Sequence, residues 1–224
     1  MNNGFVQETG FFPDQPDSRW QIITLAVGGF DSNFSYVIHD PVSGDTAIVD
    51  PCGDGKEILQ ALRQFPVFNP AYLLVTHAHH DHISALGTIR DCFSAPLAAL
   101  SADLNADIVP DHGQKLPFGA GDIQVLHTPG HSADSVCFYL KHASCLFSGD
   151  TLFTEDIGFC DGLQMYQSLR QVIQPLPDET VIFPGHDYGR LPSDTLGNIR
   201  RDNLFFAASG RDLDIFLAKL QDLV

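Results

Sequence analysis

The stretch Val75–Ile83, "VTHAHHDHI", holds four histidines and an aspartate within six residues. It is delivered by "AYLLVT", a short apolar run that reads as a β-strand. In an extended segment alternate side chains share a face, so His77, His79 and Asp81 are expected on one side and His80 on the other. Asp81 is placed to open a helix, "HISALGTIRDCF", with its charge at the favourable N-terminal end. His82, turning into that helix, reaches toward a second position. The spacing suits two adjacent metal ions, one held mainly by His77 and His79, the other by Asp81 and His82. Zinc accepts imidazole nitrogen and carboxylate oxygen but takes about four ligands per ion, so the cluster cannot complete two sites alone.

Three distant segments have a form that would complete them. Each is an apolar strand ending in a polar loop: "VLHTPGHS" with His127 and His131, "LFSGDTLF" with Asp150, and "VIFPGHDYG" with His186 and Asp187. Gly130, Gly149 and Gly185 directly precede His131, Asp150 and His186, and glycine lets the backbone turn sharply or approach a site closely. A histidine-rich loop that gathers metal adventitiously has no need of such partners.

The rest of the chain reads as two similar runs. "WQIITLAVGGF", "NFSYVIHD" and "TAIVDP" are strand-like, "GKEILQALRQF" has helical spacing at Ile58, Leu59, Leu62 and Phe65, and "APLAAL" is a further strand. In the second half "DIQVLHTPGH", "SVCFYL", "SCLFSGD" and "TVIFPGH" are strands, while "LQMYQSLRQVI" and "LDIFLAKLQDLV" are helices. Strands cluster and a helix follows, twice, which predicts an α/β layered architecture. Residues 1–19 have the Pro, Asp and Gly content of an N-terminal arm. No linker-like stretch divides the 224 residues, so a single domain, 1–224, is expected.

Composition narrows the function. Lys and Arg total 12 against 28 Asp and Glu, for a formal charge of -16. A surface of that sign repels phosphate backbones and anionic membranes, which argues against a nucleic-acid or membrane partner. The start of the chain lacks the basic-then-apolar form of a signal peptide, and no run approaches the roughly 18 apolar residues of a membrane span. The five cysteines lack CxxC spacing, as free thiols in a reducing cytoplasm would. The expected location is cytoplasmic.

Taken in order, "THAHHDH", "TPGHS", "SGDTLF" and "PGHDYG" resemble the metal-binding motifs of the metallo-β-lactamase superfamily, and within it the glyoxalase II-like branch. The resemblance spans most of the chain, residues 20–190. It implies a four-layer αββα sandwich with the metals at one edge of the paired sheets. It also implies that His77, His79 and His131 hold one metal, that Asp81, His82 and His186 hold the second, and that Asp150 bridges them. Asp81 is the expected catalytic carboxylate as well as a ligand. Asp50, at the end of "TAIVD", matches a family aspartate that supports the metal loop from behind, a need that ligand histidines generally have. Two divalent ions are the expected cofactors, zinc first, with iron or manganese as substitutes. Tyr188 and Arg190 are expected beside the substrate.

Two metals sharing a carboxylate stand ~3.5–4 Å apart and hold a hydroxide between them, because metal binding lowers the pKa of water to about 7. A thiolate leaving group, with a pKa of about 8.5, departs without a strong acid, whereas an amide nitrogen needs protonation. No further acid is evident outside the ligand set. The expected reaction is therefore hydrolysis of a thioester, or a similarly labile ester, on a small-molecule or carrier-linked acyl substrate. Asp150 stands where many β-lactamases of this fold carry Cys or Ser, and His79 where the flavodiiron branch carries Glu. Glyoxalase II is similar, but it follows the bridging aspartate with a basic glutathione-binding stretch and a C-terminal helical domain. Here that stretch is "TLFTEDIGFCDG", without Lys or Arg, and the tail after His186 is short for such a domain. Stand-alone thioester hydrolases, including those found with polyketide pathways, are the better match, with pantetheine-type thioesters preferred over glutathione ones. Persulfide dioxygenases, with one iron on two histidines and an aspartate (here His77, His131 and Asp150), are the alternative. A non-catalytic metal-binding protein is the alternative of another class, and it has no use for seven ligands.

The remaining polar residues read as follows. His127 is expected to be packed rather than a ligand, and His39, His112 and His142 to lie at the surface. Cys160 is expected to be a buried, inert thiol and Asp187 structural. Arg200 and Arg201 are expected on a solvated or salt-bridged helix face; with Arg190 they are also the available anion contacts for an acyl carrier.

Overall fold

The computed structural model describes residues 20–28 and 31–221; the expected arm, 1–19, lies outside them. The chain forms two compact units, one of residues up to Pro110 together with Leu116–Asp122, the other of Asp111–Lys115 and residues from Ile123 onward.

The first unit is built on strands β1 (Gln21–Ala26), β2 (Phe34–His39), β3 (Asp45–Val49), β4 (Asn69–Leu74) and β5 (Leu97–Ala98), in the order β1-β2-β3-β4-β5. β2 is antiparallel to β1 and β3, whereas β4 is parallel to β3 and to β5. Parallel neighbours need a crossover. Helix α1 (Lys56–Leu62) makes the first, and α2 (His80–Ile83) with α3 (Leu86–Cys92) makes the second. Ile58, Leu62 and Ile89 from these helices share a core with Ile23, Val37, Ile48 and Leu73 from the sheet. Leu73, Leu74 and Val75 are all buried, as a continuous apolar run in a parallel strand requires. That strand pushes the histidine cluster out beyond its C-terminal end.

The helix expected after the cluster is interrupted. Ala85, at φ -96° and ψ 0°, separates α2 from α3. His79 is extended (φ -63°, ψ 141°) and caps α2, whose first residue is His80. The cluster is thus extended only as far as His79, and Asp81 sits within the first helical turn instead of continuing the alternation of His77 and His79.

The second sheet runs β11 (Asp194–Thr195), β10 (Val181–Pro184), β9 (Cys145–Gly149), β8 (Val136–Leu140), β7 (Gly121–His127), β6 (Lys115–Phe118). β8 is antiparallel to β7 and β9, β10 is parallel to β9, and β11 is antiparallel to β10. Helix α4 (Gly162–Ser168) runs on into a π turn, Leu169–Ile173, and makes the β9–β10 crossover. Met165, Leu169 and Ile173 from this segment pack with Leu146 and Ile182 of the sheet. Helices α5 (Leu196–Asp202), α6 (Leu204–Ser209) and α7 (Leu213–Leu220) complete that core through Ile199, Phe206 and Phe216. No helix among the described residues is long and apolar enough to cross a membrane.

Candidate metal centre

In the first unit the candidate donors are organised by Asp50. This residue ends β3 in the left-handed region, φ 46°, a conformation that Asp tolerates better than most residues. Its Oδ1 accepts the Thr76 N–H at 2.7 Å, and its Oδ2 accepts the Thr76 hydroxyl at 2.7 Å and meets His82 Nδ1 at 2.9 Å. The hydroxyl proton of Thr76 is committed to the carboxylate, so the Thr76 oxygen accepts from His77 Nδ1, 3.1 Å away. Both His77 and His82 are thereby held as Nδ1–H tautomers that present the lone pair of Nε2. His77 Nε2 lies 3.0 Å from His79 Nδ1, and His82 Nε2 lies 3.5 Å from Asp81 Oδ2. Asn33 Nδ2 donates to Asp81 Oδ2 at 2.9 Å. His77 and His82 are buried, Asp81 half-buried and His79 exposed.

In the second unit three candidate donors meet at one carboxylate. The parallel pairing of β9 with β10 sets Gly149 beside Pro184, and Gly185 N–H donates to Gly149 O at 2.9 Å. Asp150 and His186 therefore leave the sheet side by side. Asp150 Oδ2 is 3.2 Å from His186 Nε2 and 3.5 Å from His131 Nε2. The carbonyl of Phe159 accepts from His131 Nδ1 at 2.9 Å, which fixes that tautomer too. Gly130 has φ 149°, and a Cβ there would stand 2.7 Å from the Met165 backbone; only glycine lets the His131 loop lie so close to α4. His186 stacks on Tyr188 at 4.8 Å, and Phe153 meets both rings edge-on.

These donors suit a transition metal in type and in spacing. Ligands on a tetrahedral zinc, with bonds of about 2.0–2.1 Å, stand about 3.3 Å apart. The four pairs His77–His79, Asp81–His82, His131–Asp150 and His186–Asp150 lie at 3.0, 3.5, 3.5 and 3.2 Å. Each pair therefore spans one edge of such a tetrahedron without rearrangement. Nδ1 contacts to Asp50 and Phe159 supply the outer support that metal-binding histidines use.

Among the other residues, the expectations for His39 and Cys160 change. His39 is buried, not at the surface: its Nδ1 lies 2.8 Å from Thr46 Oγ1, its β3 neighbour, and its ring stacks on Phe65 at 4.0 Å. His112 and His142 are exposed. His127 is half-buried, its Nε2 3.0 Å from the Ala133 carbonyl. Cys160 is half-buried, and burial, then the nearby Asp161, pushes its thiol up to about 11, so it is not a nucleophile at neutral pH. Asp187 is exposed. Arg190 is exposed and paired with Glu155. Arg200 pairs with Asp178 at 3.0 Å and Arg201 with Asp202 at 3.1 Å, the salt-bridged face expected. Asn33, Thr76, Gly158 and the Phe159 carbonyl belong to the two clusters and had been missed; of these, only Thr76, inside "THAHHDH", stands in a recognised motif.

The sequence model of the metallo-beta-lactamase superfamily matches residues 28–186. The chain belongs to the metallo-β-lactamase superfamily. All seven candidate donors and Asp50 lie within the match. The chain is similar to a hydroxyacylglutathione hydrolase of Bartonella tribocorum, 36% identical over 163 residues, which are 70% of this chain and 63% of that relative. It therefore spans less than two thirds of that relative's length. It is also similar to the probable polyketide biosynthesis zinc-dependent hydrolase BaeB of Bacillus velezensis, 28% identical over 187 residues, 78% of this chain and 82% of the other. Among solved structures, ETHE1 from Myxococcus xanthus matches with a TM-score of 0.75 at 29% identity, covering 86% of this chain and 87% of that one. The expected fold class, an αββα sandwich of the metallo-β-lactamase type, holds.

Proposed function

We propose that this chain is a metal-dependent hydrolase that cleaves acyl thioesters, acting through both units as one domain. The donor set carries the reading: four side chains in the first unit and three in the second, each paired at the spacing of a shared ion. In this reading His77, His79 and His131 hold one divalent ion, Asp81, His82 and His186 hold another, and Asp150 bridges them. Zinc is the expected metal, in keeping with the likeness to a zinc-dependent hydrolase. When bound, the two ions supply a nucleophile at neutral pH and polarise the scissile carbonyl.

The chain's own residues supply position. Asp50 and Thr76 hold His77 and His82 in their metal-binding tautomers, and the Phe159 carbonyl does the same for His131. Asn33 orients Asp81, the candidate catalytic carboxylate. Tyr188, stacked on His186, stands beside the substrate. A thiolate, whose conjugate acid has a pKa of about 8.5, leaves without a strong acid, and no acid besides the donors is required. Glu155, Asp156 and Asp161 follow the bridging aspartate, and Glu155 neutralises Arg190. An anionic glutathione arm is disfavoured there, and a neutral pantetheine-type arm is not.

A second reading, an iron-dependent persulfide dioxygenase using His77, His131 and Asp150, is favoured by the likeness to ETHE1. Metal analysis on protein from metal-controlled growth separates the two, with a panel of acyl-pantetheine, acyl-CoA and acyl-glutathione substrates and oxygen uptake on glutathione persulfide. Two zinc ions per chain and fastest cleavage of acyl-pantetheine are expected. One iron per chain, oxygen uptake and no thioester cleavage overturn the hydrolase in favour of the dioxygenase.

A further inference from the structure

We infer that Phe159 sets the acyl preference of the enzyme, its ring serving as the contact for an uncharged alkyl chain on the substrate; this rests on the thioesterase reading above. Phe159 is 89% exposed, more than any other large hydrophobic residue described. Its backbone is nonetheless clamped. The Phe159 carbonyl accepts from His131 Nδ1 at 2.9 Å, and the preceding Gly158 N–H donates to the Asp150 carbonyl at 3.0 Å. A Cβ on Gly158 would lie 2.3 Å from that carbonyl oxygen and 2.8 Å from His131 Nδ1. Two residues further on, Asp161 N–H donates to the Gly130 carbonyl at 2.8 Å and the Asp161 side chain caps α4. The segment is therefore tied at both ends to the loops that carry His131 and Asp150. The backbone of Phe159 is thus fixed beside two candidate metal ligands, and its side chain is left in water.

Folding gains little from an aromatic side chain left in water, since burial of apolar area is what stabilises it. A substrate that covers the ring supplies that burial. An anionic partner is disfavoured, because between Asp150 and Asp161 the chain carries Glu155 and Asp156 and no Lys or Arg, and the phenyl ring itself offers apolar surface alone. The partner is the acyl chain and not the thiol arm, because a pantetheine arm brings amides that need hydrogen-bond partners when covered, and a phenyl ring provides none.

The test uses the zinc-loaded full chain and N-acetylcysteamine thioesters of acetyl, butyryl and octanoyl groups. In the wild type KM should fall from acetyl to octanoyl. Phe159→Ala should raise the ratio of the octanoyl KM to the acetyl KM about tenfold over the wild-type ratio. The kcat values should move less than KM, as expected for a contact made equally in ground and transition states. Phe159→Leu, which keeps an apolar side chain, should restore most of the effect. Binding of the inert thioether S-octyl-N-acetylcysteamine, followed by calorimetry, should show the same loss in Phe159→Ala. A chain-length dependence that is absent from the wild type, or identical in Phe159→Ala, overturns the role of Phe159. A wild type that cleaves no thioester overturns the thioesterase reading instead, and the calorimetric comparison then still decides whether Phe159 binds an alkyl chain.

Discussion

Asp50 Oδ2 lies 2.9 Å from His82 Nδ1, and both side chains are shut off from water. The same carboxylate receives the N–H and the hydroxyl of Thr76, immediately before His77. One aspartate thus holds both ends of the segment that carries His77, His79, Asp81 and His82. Asp50→Ala leaves the donors in the chain but releases their tautomers and the loop. Zinc affinity should fall about 10–100-fold, and turnover should fall with it at limiting zinc and recover in part at excess. Competition with a chromophoric chelator measures this. A folded variant with wild-type zinc affinity would show that the loop needs no such support.

Asp150 stands within 3.5 Å of two histidine nitrogens through a single oxygen. Asp150→Ala removes the shared donor of the proposed pair of ions. Turnover should collapse, by about 100-fold or more if the bridge supplies the coupling expected of a two-metal site, and metal content should drop below two per chain. Circular dichroism and thermal unfolding report whether the fold survives. A folded Asp150→Ala protein that has lost metal and still turns over at the wild-type rate ends the two-metal reading.

Much of this was legible in the sequence because the strongest signals are local. Continuous apolar runs such as Leu73–Val75 mark buried parallel strands, and each candidate donor sits just past such a run. The support for the donors was less legible because it is either remote or made by backbone. Asn33 is 48 positions from Asp81, and no spacing rule connects them. Phe159 contributes a carbonyl, which every residue has. The extended reading of the cluster ran one residue too far: Asp81 does mark the first turn of the helix, but α2 opens at His80, where no side-chain cap fixes the boundary. Turn chemistry at "HDPVSGD" suggested an exposed His39, but its cross-strand neighbour Thr46 and the Phe65 ring enclose it. Strands β6 and β11 and helix α6 were not anticipated; the two strands are edge strands of only 4 and 2 residues, too short for a periodic pattern.

His80 is the one histidine of the cluster outside the proposed ligand set. It opens α2 and is exposed. His80→Ala should retain the full metal content, and stability should stay within about 0.5 kcal/mol of the wild type, as for an ordinary surface substitution. Plasma emission analysis of the purified variant checks the metal content. Loss of one metal equivalent would mean that His80 binds metal and that the assignment of His82 or Asp81 has to change.

His39 offers a pH test away from the metal centre. Burial lowers its pKa from the ordinary 6.5, and the neighbouring Asp40 only partly offsets this by favouring the charged form. The folded chain therefore holds His39 neutral at pH values where the unfolded chain has begun to protonate it. Well above 6.5 the residue is neutral in both states and adds no pH dependence. As pH falls through 6.5 the unfolded state binds the proton first, so the wild type loses stability. The loss grows until pH reaches the lowered pKa of the folded state and is constant below it. His39→Gln cannot take up that proton. Its stability relative to the wild type should rise as pH is lowered from 7.5 to 5.5, whatever the absolute effect of losing the Thr46 contact and the Phe65 stack. Urea unfolding at matched metal load across that range gives the difference directly, and the contributions of all other titrating groups cancel in it. A difference that stays flat, or that moves in favour of the wild type as pH falls, would show that His39 takes its proton in the folded chain as readily as in the unfolded one.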